Sequence, residues 1–166
     1  MSEPVLVALG SNLGESAALL HQAAVALHPL KASSVYCSEP AYLIEQPSFL
    51  NAVVQVDLDR LEPGPASLFQ RARFLLHRLQ AMEVAAGRAS AHPKNGARCL
   101  DLDILDVPGL CSKDPELRLP HPLLLERDFV VTPLLEICPA YILADGRPVS
   151  PEGVKYGRVT AKLGAL

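Results

Sequence analysis

The chain has 166 residues, of which 49% are hydrophobic and 20% charged, with 15 Lys+Arg against 18 Asp+Glu and a formal net charge of -3. This composition predicts one globular domain, residues 1–166, with a substantial core. The lack of a basic excess disfavours general nucleic-acid binding. No apolar run approaches the roughly 20 residues that cross a bilayer, and the N-terminal residues do not resemble a secretory signal. We therefore expect a cytoplasmic protein.

Hydrophobic periodicity and turn residues predict the elements in chain order. They are a strand over 5–9, a helix over 15–27, strands over 33–38 and 49–58, a helix over 66–86, a strand over 99–105 and a short helix over 129–137. Gly87 follows the second helix as a candidate C-terminal cap.

The order β-α-β-β-α-β over the first 105 residues is that of the split βαβ unit. It predicts an α+β fold: a ferredoxin-like antiparallel sheet with helices packed on its faces and long Pro-rich active-site loops. Those loops are expected over 39–48 and 106–122. The tail after residue 144 is weakly patterned, and residues 145–166 are given no interpretation beyond packing.

Two aspartates share one face of the last predicted strand. Because side chains alternate along a strand, Leu100, Leu102 and Ile104 are expected in the core, and Asp101 and Asp103 on the opposite face. Asp is disfavoured in strands, and paired carboxylates suit hard cations such as Mg²⁺. A solvated edge strand with two ordinary aspartates is the alternative.

A basic segment lies between the second helix and this acidic strand. It carries Arg88, Lys94 and Arg98. Cations beside an acidic pair indicate an anionic ligand that brings its own metal, as in phosphoryl transfer. A solvated basic loop is the alternative. The chain has neither a P-loop ending nor a G-x-G-x-x-G motif.

A second set of residues suits a flat, hydrogen-bonding ligand. Phe49 and Asn51 share a strand face, and Phe129 lies where a loop meets a helix. Two phenyl rings can sandwich a heteroaromatic ring, and an amide can bind its donor and acceptor edge. Burial of both rings in the core is the alternative. His121 stands six residues before Arg127 between two prolines, as either a turn residue or a phosphate contact.

These motifs occur together in a known order. They are Leu9-Gly10-Ser11-Asn12-Leu13-Gly14, Glu45-Gln46-Pro47-x-Phe49-Leu50-Asn51, Gly87-Arg88, Gly96-x-Arg98-x-Leu100-Asp101-Leu102-Asp103-Ile104, Pro120-His121-Pro122 and Arg127-x-Phe129. From residue 5 to about 140 the chain resembles the 6-hydroxymethyl-7,8-dihydropterin pyrophosphokinase family of folate biosynthesis. The block around the two aspartates, combined with Q-P-x-F-L-N, is the specific part of this resemblance.

The resemblance implies a monomeric enzyme that moves the β,γ-diphosphate of ATP to the hydroxymethyl group of the pterin and releases AMP. It implies two Mg²⁺ ions held by Asp101 and Asp103, and small-molecule partners only, with no nucleic acid and no membrane. Asp103, Arg88 and Arg98 would then be catalytic, and residues 88–98 would form a catalytic loop that closes over ATP.

The resemblance also implies two sets of binding residues. The pterin would contact Ser38, Pro40, Ala41, Phe49, Asn51 and Phe129. ATP would contact, or be organised by, Gln80, Glu83, Arg88, Lys94, Arg98, Ile104, Arg118, His121 and Arg127. Within the catalytic loop the chain departs from some members of the family, because Ser90 replaces a second arginine and Asn95 replaces an aromatic residue.

Two readings from other classes stay open at this point. One is a two-metal phosphodiesterase or nuclease that uses the same acidic strand. The other is a non-catalytic ferredoxin-like domain that binds a ligand.

Overall fold

The computed structural model describes residues 4–42, 45–87 and 99–166. These residues form the strands β1 (Pro4–Ser11), β2 (Lys31–Ala32), β3 (Ser34–Ser38), β4 (Phe49–Asp57), β5 (Asp101–Asp106), β6 (Ser112–Lys113), β7 (Arg118–Leu119) and β8 (Val159–Ala165). The helices are α1 (Ser16–Leu27), α2 (Leu58–Leu61), α3 (Leu68–Ala85) and α4 (Asp128–Ile137), with short 3-10 helices at Leu124–Glu126 and Pro151–Gly153.

The main sheet has the strand order β5-β1-β4-β3-β8, and β2 pairs with β4 beside β3. Every pairing in it is antiparallel. The predicted α+β class and antiparallel sheet are therefore confirmed. Among the described residues, no helix is both long and apolar enough to span a membrane.

Both faces of the sheet are covered. On one face, Val5, Val7 and Leu9 of β1 pack in a cluster with buried residues of α1 and α3. On the other face, Leu6 packs with α4 residues, including Val131, and with the segment that follows α4. Because successive side chains of β1 point to opposite faces of the sheet, this one strand contributes to two hydrophobic layers. We call the second side of the sheet the α4 face.

Helix α3 begins and ends where its sequence directs. Ser67 Oγ accepts a hydrogen bond from the backbone N–H of Gln70, and the Gln70 side chain accepts one from the backbone N–H of Ser67, which forms a capping box. At the other end, Gly87 has φ +100°, a left-handed conformation that glycine adopts without strain. The predicted cap is thereby confirmed.

Two segments for which the sequence predicted no strand or helix contain strands. Residues 106–122 include the hairpin of β6 and β7, and the tail contains β8, which pairs with β3 at the sheet edge. No element was assigned to this tail from the sequence. Val159, Ala161, Leu163 and Ala165 alternate with Thr160, Lys162 and Gly164, which is the two-residue period of a strand. Nearly every residue of β8 is nevertheless exposed.

Candidate active site

A pocket opens on the α4 face at the end of the sheet where β1 stops. It contains about 670 Å³ of empty space, part of it open to solvent. Its lining residues are Ala8, Leu9, Gly10, Ser38, Glu39, Ala41, Tyr42, Gln46, Phe49, Asn51, Asp101, Asp103, Arg127, Phe129 and Val130.

The smallest side chains in β1 form the floor of this pocket. Gly10 lies opposite Asn51 on one side and Asp101 on the other, and Ala8 lies opposite Asp103. A Cβ atom on Gly10 would stand 3.3 Å from the Asn51 amide oxygen. Glycine therefore leaves room for a ligand between the amide and the carboxylate.

The acidic pair lies on the predicted face of β5. The alternate residues Leu100, Leu102 and Ile104 are buried, while Asp101 and Asp103 are partly exposed and line the pocket. Positions two apart on a strand are roughly 6.6 Å from each other, so both carboxylates face the same ligand space. Mg²⁺ is ordinarily held by one or two carboxylates and by substrate phosphates, and this pair fits that donor set.

A third aspartate of β5 has a different surrounding. The pairing with β1 shifts register between Leu6 and Val7, and this bulge returns Asp106 to the α4 face. Asp106 is fully buried, where it accepts hydrogen bonds from the Tyr141 hydroxyl at 2.8 Å and the Ala144 backbone N–H at 3.2 Å. Its burial raises the pKa of this carboxyl group. Asp106 thus fixes the chain that follows α4 and does not line the pocket.

Asn51 is held in one orientation. Its Nδ2 donates a hydrogen bond of 2.7 Å to Ser38 Oγ, and both residues are buried. Its Oδ1 lies over Gly10, toward the pocket floor. The half-buried rings of Phe49 and Phe129 both border the same pocket. The structure therefore brings together the aromatic and amide residues selected from the sequence.

Arg127 connects the acidic pair to the aromatic wall. Its guanidinium carbon lies 5.6 Å from the ring centroids of both Tyr42 and Phe129, within the range of a cation–π contact. Nε donates a hydrogen bond of 3.2 Å to the Tyr42 hydroxyl, and Nη1 lies 4.0 Å from Asp103 Oδ2. The side chain is largely buried, with 13% exposed.

His121 is neutral at physiological pH. Burial lowers its pKa to about 4, the positive charge of Arg127 adds to this effect, and the negative charge of Asp101 opposes it. The ring Nδ1 accepts a hydrogen bond of 3.2 Å from the Leu123 backbone N–H. The proton of the neutral ring is therefore on Nε2.

The other residues selected for ATP lie outside the pocket lining. Gln80 is exposed on α3, Arg118 is exposed in β7, and Ile104 is buried in the core. Glu83 is also buried and accepts a hydrogen bond of 3.3 Å from the Leu102 backbone N–H. Glu83 thus contacts the backbone of the acidic strand from α3.

Four other site residues predicted from the sequence are not among the residues that line the pocket in the described structure. Pro40 is half-buried beside Ala41 but is not part of the lining. Arg88, Lys94 and Arg98 lie outside the described residues.

Sequence reasoning missed part of the wall. Asn12 Nδ2 donates hydrogen bonds of 3.1 Å to Gln46 Oε1 and 2.9 Å to the Pro47 carbonyl oxygen, which ties the end of β1 to the loop before β4. Asn12, Gln46 and Pro47 all lie in motifs that were noted in the sequence, but no contact between them was predicted. Nothing in the sequence marked Tyr42, because its partner Arg127 is 85 residues away.

The fold and the pocket define an α+β domain in which the acidic pair, Arg127 and the rings of Phe49 and Phe129 surround one small-molecule pocket. A model of the 7,8-dihydro-6-hydroxymethylpterin-pyrophosphokinase (HPPK) family matches residues 6–139. The chain belongs to this family.

Individual relatives agree with the family match. The 2-amino-4-hydroxy-6-hydroxymethyldihydropteridine pyrophosphokinase of Pseudomonas aeruginosa is 36% identical over 153 residues, which cover 89% of this chain and 88% of the relative. The enzyme of the same name from Bacillus subtilis is 35% identical over 144 residues, or 83% of this chain and 80% of the relative.

Other relatives are much longer. The Folic acid synthesis protein fol1 of Pneumocystis carinii is 38% identical over 141 residues, which cover 82% of this chain but 18% of the relative. In the FOL1 protein of Dictyostelium discoideum the matched region is 20% of the relative. The chain thus spans about a fifth of the length of these two proteins.

Proposed function

We propose that this chain transfers the β,γ-diphosphate of ATP to the hydroxymethyl group of 6-hydroxymethyl-7,8-dihydropterin and releases AMP. The proposal rests on one observation in a chain of the HPPK family: the carboxylates of Asp101 and Asp103 line the same pocket as Phe49, Asn51 and Phe129. The nuclease and non-catalytic alternatives gain no support from these observations.

The pterin would lie between Phe49 and Phe129 over the floor of Ala8 and Gly10. Offset stacking on the two rings would fix its plane. Asn51 would bind its edge, because Ser38 orients the amide so that Oδ1 faces the floor. Backbone and side-chain groups around Pro40 and Ala41 would close the pocket on the side of β3.

Asp101 and Asp103 would hold two Mg²⁺ ions together with the triphosphate. Two carboxylates on one strand face, both partly exposed, provide protein oxygens while leaving the remaining positions to phosphate and water. When bound, magnesium supplies charge neutralisation at the phosphates that are being transferred.

The arginines would stabilise the charge of the transferred group. Arg127 is already oriented toward Asp103 by its aromatic neighbours, and His121 would donate Nε2–H to a phosphate oxygen. Arg88, Lys94 and Arg98 are proposed to contact ATP from the loop between α3 and β5.

On the nucleoside side of ATP, Gln80, Ile104 and Arg118 are proposed contacts. Glu83 is proposed to organise this side of the site through its hydrogen bond to the backbone of β5.

The reaction needs no covalent nucleophile from the protein. The hydroxymethyl oxygen would attack the β-phosphorus and lose its proton, while the bond from that phosphorus to the α,β-bridging oxygen breaks and its electron pair leaves with AMP. Catalysis then consists of alignment and electrostatic stabilisation. As the resemblance to the family implies, the chain is proposed to act as a monomer and as a single domain.

A direct assay tests this function. Purified protein is incubated with ATP, Mg²⁺ and the hydroxymethyldihydropterin, and AMP and the pterin diphosphate are separated by chromatography. AMP that forms only in the presence of the pterin, in equal amount with the pterin diphosphate, is the expected result. Pterin-independent hydrolysis would favour the phosphodiesterase, and binding without turnover the non-catalytic domain. Light scattering measures the molar mass for the monomer proposal.

A further inference from the structure

The segment that precedes β8 packs directly against the proposed pterin site. We call residues 155–159 the C-terminal clasp. The family model ends at residue 139, so the clasp lies beyond the region by which the family is recognised.

Gly157 in the clasp makes room for the Phe129 ring. A Cβ atom at this position would stand 2.2 and 2.6 Å from two ring carbons of Phe129, which is closer than non-bonded carbons approach. Gly157 is buried and has φ +63°, a conformation that also favours glycine. The Phe129 ring therefore occupies its position because residue 157 has no side chain.

Main-chain hydrogen bonds join the clasp to the start of α4. The Asp128 N–H donates to the Tyr156 carbonyl oxygen at 2.9 Å, and the Val159 N–H donates to Asp128 Oδ2 at 2.8 Å. The N–H of Tyr156 donates to the Glu126 carbonyl oxygen at 3.0 Å. All three bonds involve Glu126 or Asp128, directly before Phe129 in the sequence, so the clasp fixes the backbone that leads into the ring.

The clasp also contacts the opposite wall of the pocket, in the loop after β3. The Glu39 N–H donates to the Arg158 carbonyl oxygen at 2.9 Å, and the side chains of these residues form a 2.8 Å ion pair. The rings of Tyr156 and Tyr42 have centroids 5.2 Å apart. One short segment thus contacts two walls of one pocket.

We propose that the C-terminal clasp is part of the acceptor site, with Gly157 and Tyr156 as positioning residues for Phe129 and for the loop that carries Tyr42. This inference rests on the proposed function for the identity of the acceptor. The backbone of Tyr156 also pairs with Arg127, but the three atoms nearest to a Cβ at Gly157 all belong to Phe129. The inference therefore predicts that a change at Gly157 weakens pterin binding more than ATP binding.

The first test is Gly157→Ala, with Gly146→Ala as its matched control. Gly146 also has a positive φ, +89°, but no atom lies within 4 Å of the added Cβ, so it reproduces the backbone strain without the collision. KM for the pterin and for ATP, kcat and the unfolding temperature are measured for both. Gly157→Ala should raise the pterin KM at least about fivefold, the scale of a lost aromatic contact. KM for ATP should change less than twofold. The control should keep both KM values of the unchanged protein, although the strain lowers its unfolding temperature.

A second pair keeps the inference testable if Gly157→Ala does not fold. Tyr156 is partly exposed, and its backbone hydrogen bonds do not depend on its side chain. Tyr156→Leu should raise the pterin KM severalfold, and Tyr156→Phe should restore most of that loss because it keeps the ring.

The two proposals fail in different ways. An unchanged protein that makes no AMP with the pterin contradicts the proposed function. The role of the clasp alone is contradicted if the unchanged protein is active and folded Gly157→Ala leaves the pterin KM unchanged or raises both KM values equally. If Gly157→Ala does not fold, the same outcomes for Tyr156→Leu contradict it.

Discussion

Nη1 of Arg127 lies 4.0 Å from Oδ2 of Asp103. The same guanidinium group lies over the ring of Phe129, so one cation contacts both a carboxylate of the acidic pair and an aromatic ring of the pocket. A planar, delocalised charge suits both contacts, since guanidinium stacks on rings and also pairs with carboxylates and phosphates.

This position predicts that lysine cannot replace Arg127. Arg127→Lys keeps the charge but loses the planar group, so kcat/KM for ATP should fall at least about tenfold, the effect of roughly 1.4 kcal/mol. Arg147→Lys is the control, because Arg147 pairs only with the neighbouring Asp145 in the contacts described and is exposed. Steady-state kinetics measure both. Equal activity of the two variants would contradict the role of Arg127.

Asp103 is predicted to be dispensable for folding and required for turnover. Asp103→Ala removes a carboxylate that is proposed to bind Mg²⁺ from a partly exposed strand position, so the unfolding temperature should change little while AMP formation is nearly abolished. The exposed Asp145→Ala serves as the control and should retain activity. Calorimetry in the absence of nucleotide and the AMP assay give the two values. Near-normal turnover of Asp103→Ala would refute the assignment.

The sequence predicted the parts of the molecule whose causes are local. Alternation in β5 placed Asp101 and Asp103 on one face, and the structure confirms it. Phe49 and Asn51 were likewise placed together by strand periodicity. These predictions hold because the two-residue period of a strand is fixed by its backbone.

The parts that escaped prediction depend on long-range contacts. β8 alternates apolar and non-apolar residues, yet its place at the sheet edge depends on pairing with β3, which lies far earlier in the chain. Gly157 looks like any turn glycine until the Phe129 ring is placed beside it. The bulge in β5 reverses the face of Asp106, which simple alternation assigns to the opposite side of the sheet.

The pocket floor predicts a size limit at position 10. Gly10→Val would place methyl groups where Asn51 Oδ1 and Phe49 already lie 3.3 and 3.9 Å from a Cβ atom. Pterin affinity should fall at least about tenfold, because the volume needed by the ligand is filled. Titration calorimetry with 6-hydroxymethylpterin measures it. Gly153→Ala is the control for general loss of a glycine, because Gly153 also lacks a positive φ. Normal pterin binding by Gly10→Val would show that Gly10 does not form the floor of the pterin site.

Tyr141 is predicted to affect stability alone. Tyr141→Phe removes the hydroxyl that donates to the fully buried Asp106, which should cost about 1–3 kcal/mol of unfolding free energy. Urea unfolding measures the loss. At a temperature well below unfolding, kcat should stay within about twofold, because Asp106 does not line the pocket. A large loss of kcat without loss of stability would place Asp106 in the reaction.

His121 predicts how stability depends on pH. Its pKa is about 4 in the folded protein and near the ordinary histidine value of 6.5 when unfolded, so between these values the unfolded chain binds more protons. The neutral ring therefore contributes its full stability above pH 6.5 and loses it as the pH falls toward 4. Between pH 7.5 and 5 the loss is about 2 kcal/mol.

A variant that cannot titrate isolates this effect. His121→Asn offers an acceptor for the Leu123 N–H but stays neutral at every pH. Urea unfolding of both proteins at pH 7.5 and pH 5, without nucleotide or metal, gives the difference in unfolding free energy at each pH. The advantage of the unchanged protein over His121→Asn should shrink by about 2 kcal/mol at the lower pH. An advantage that is constant across this range would show that His121 titrates normally and is not buried beside Arg127.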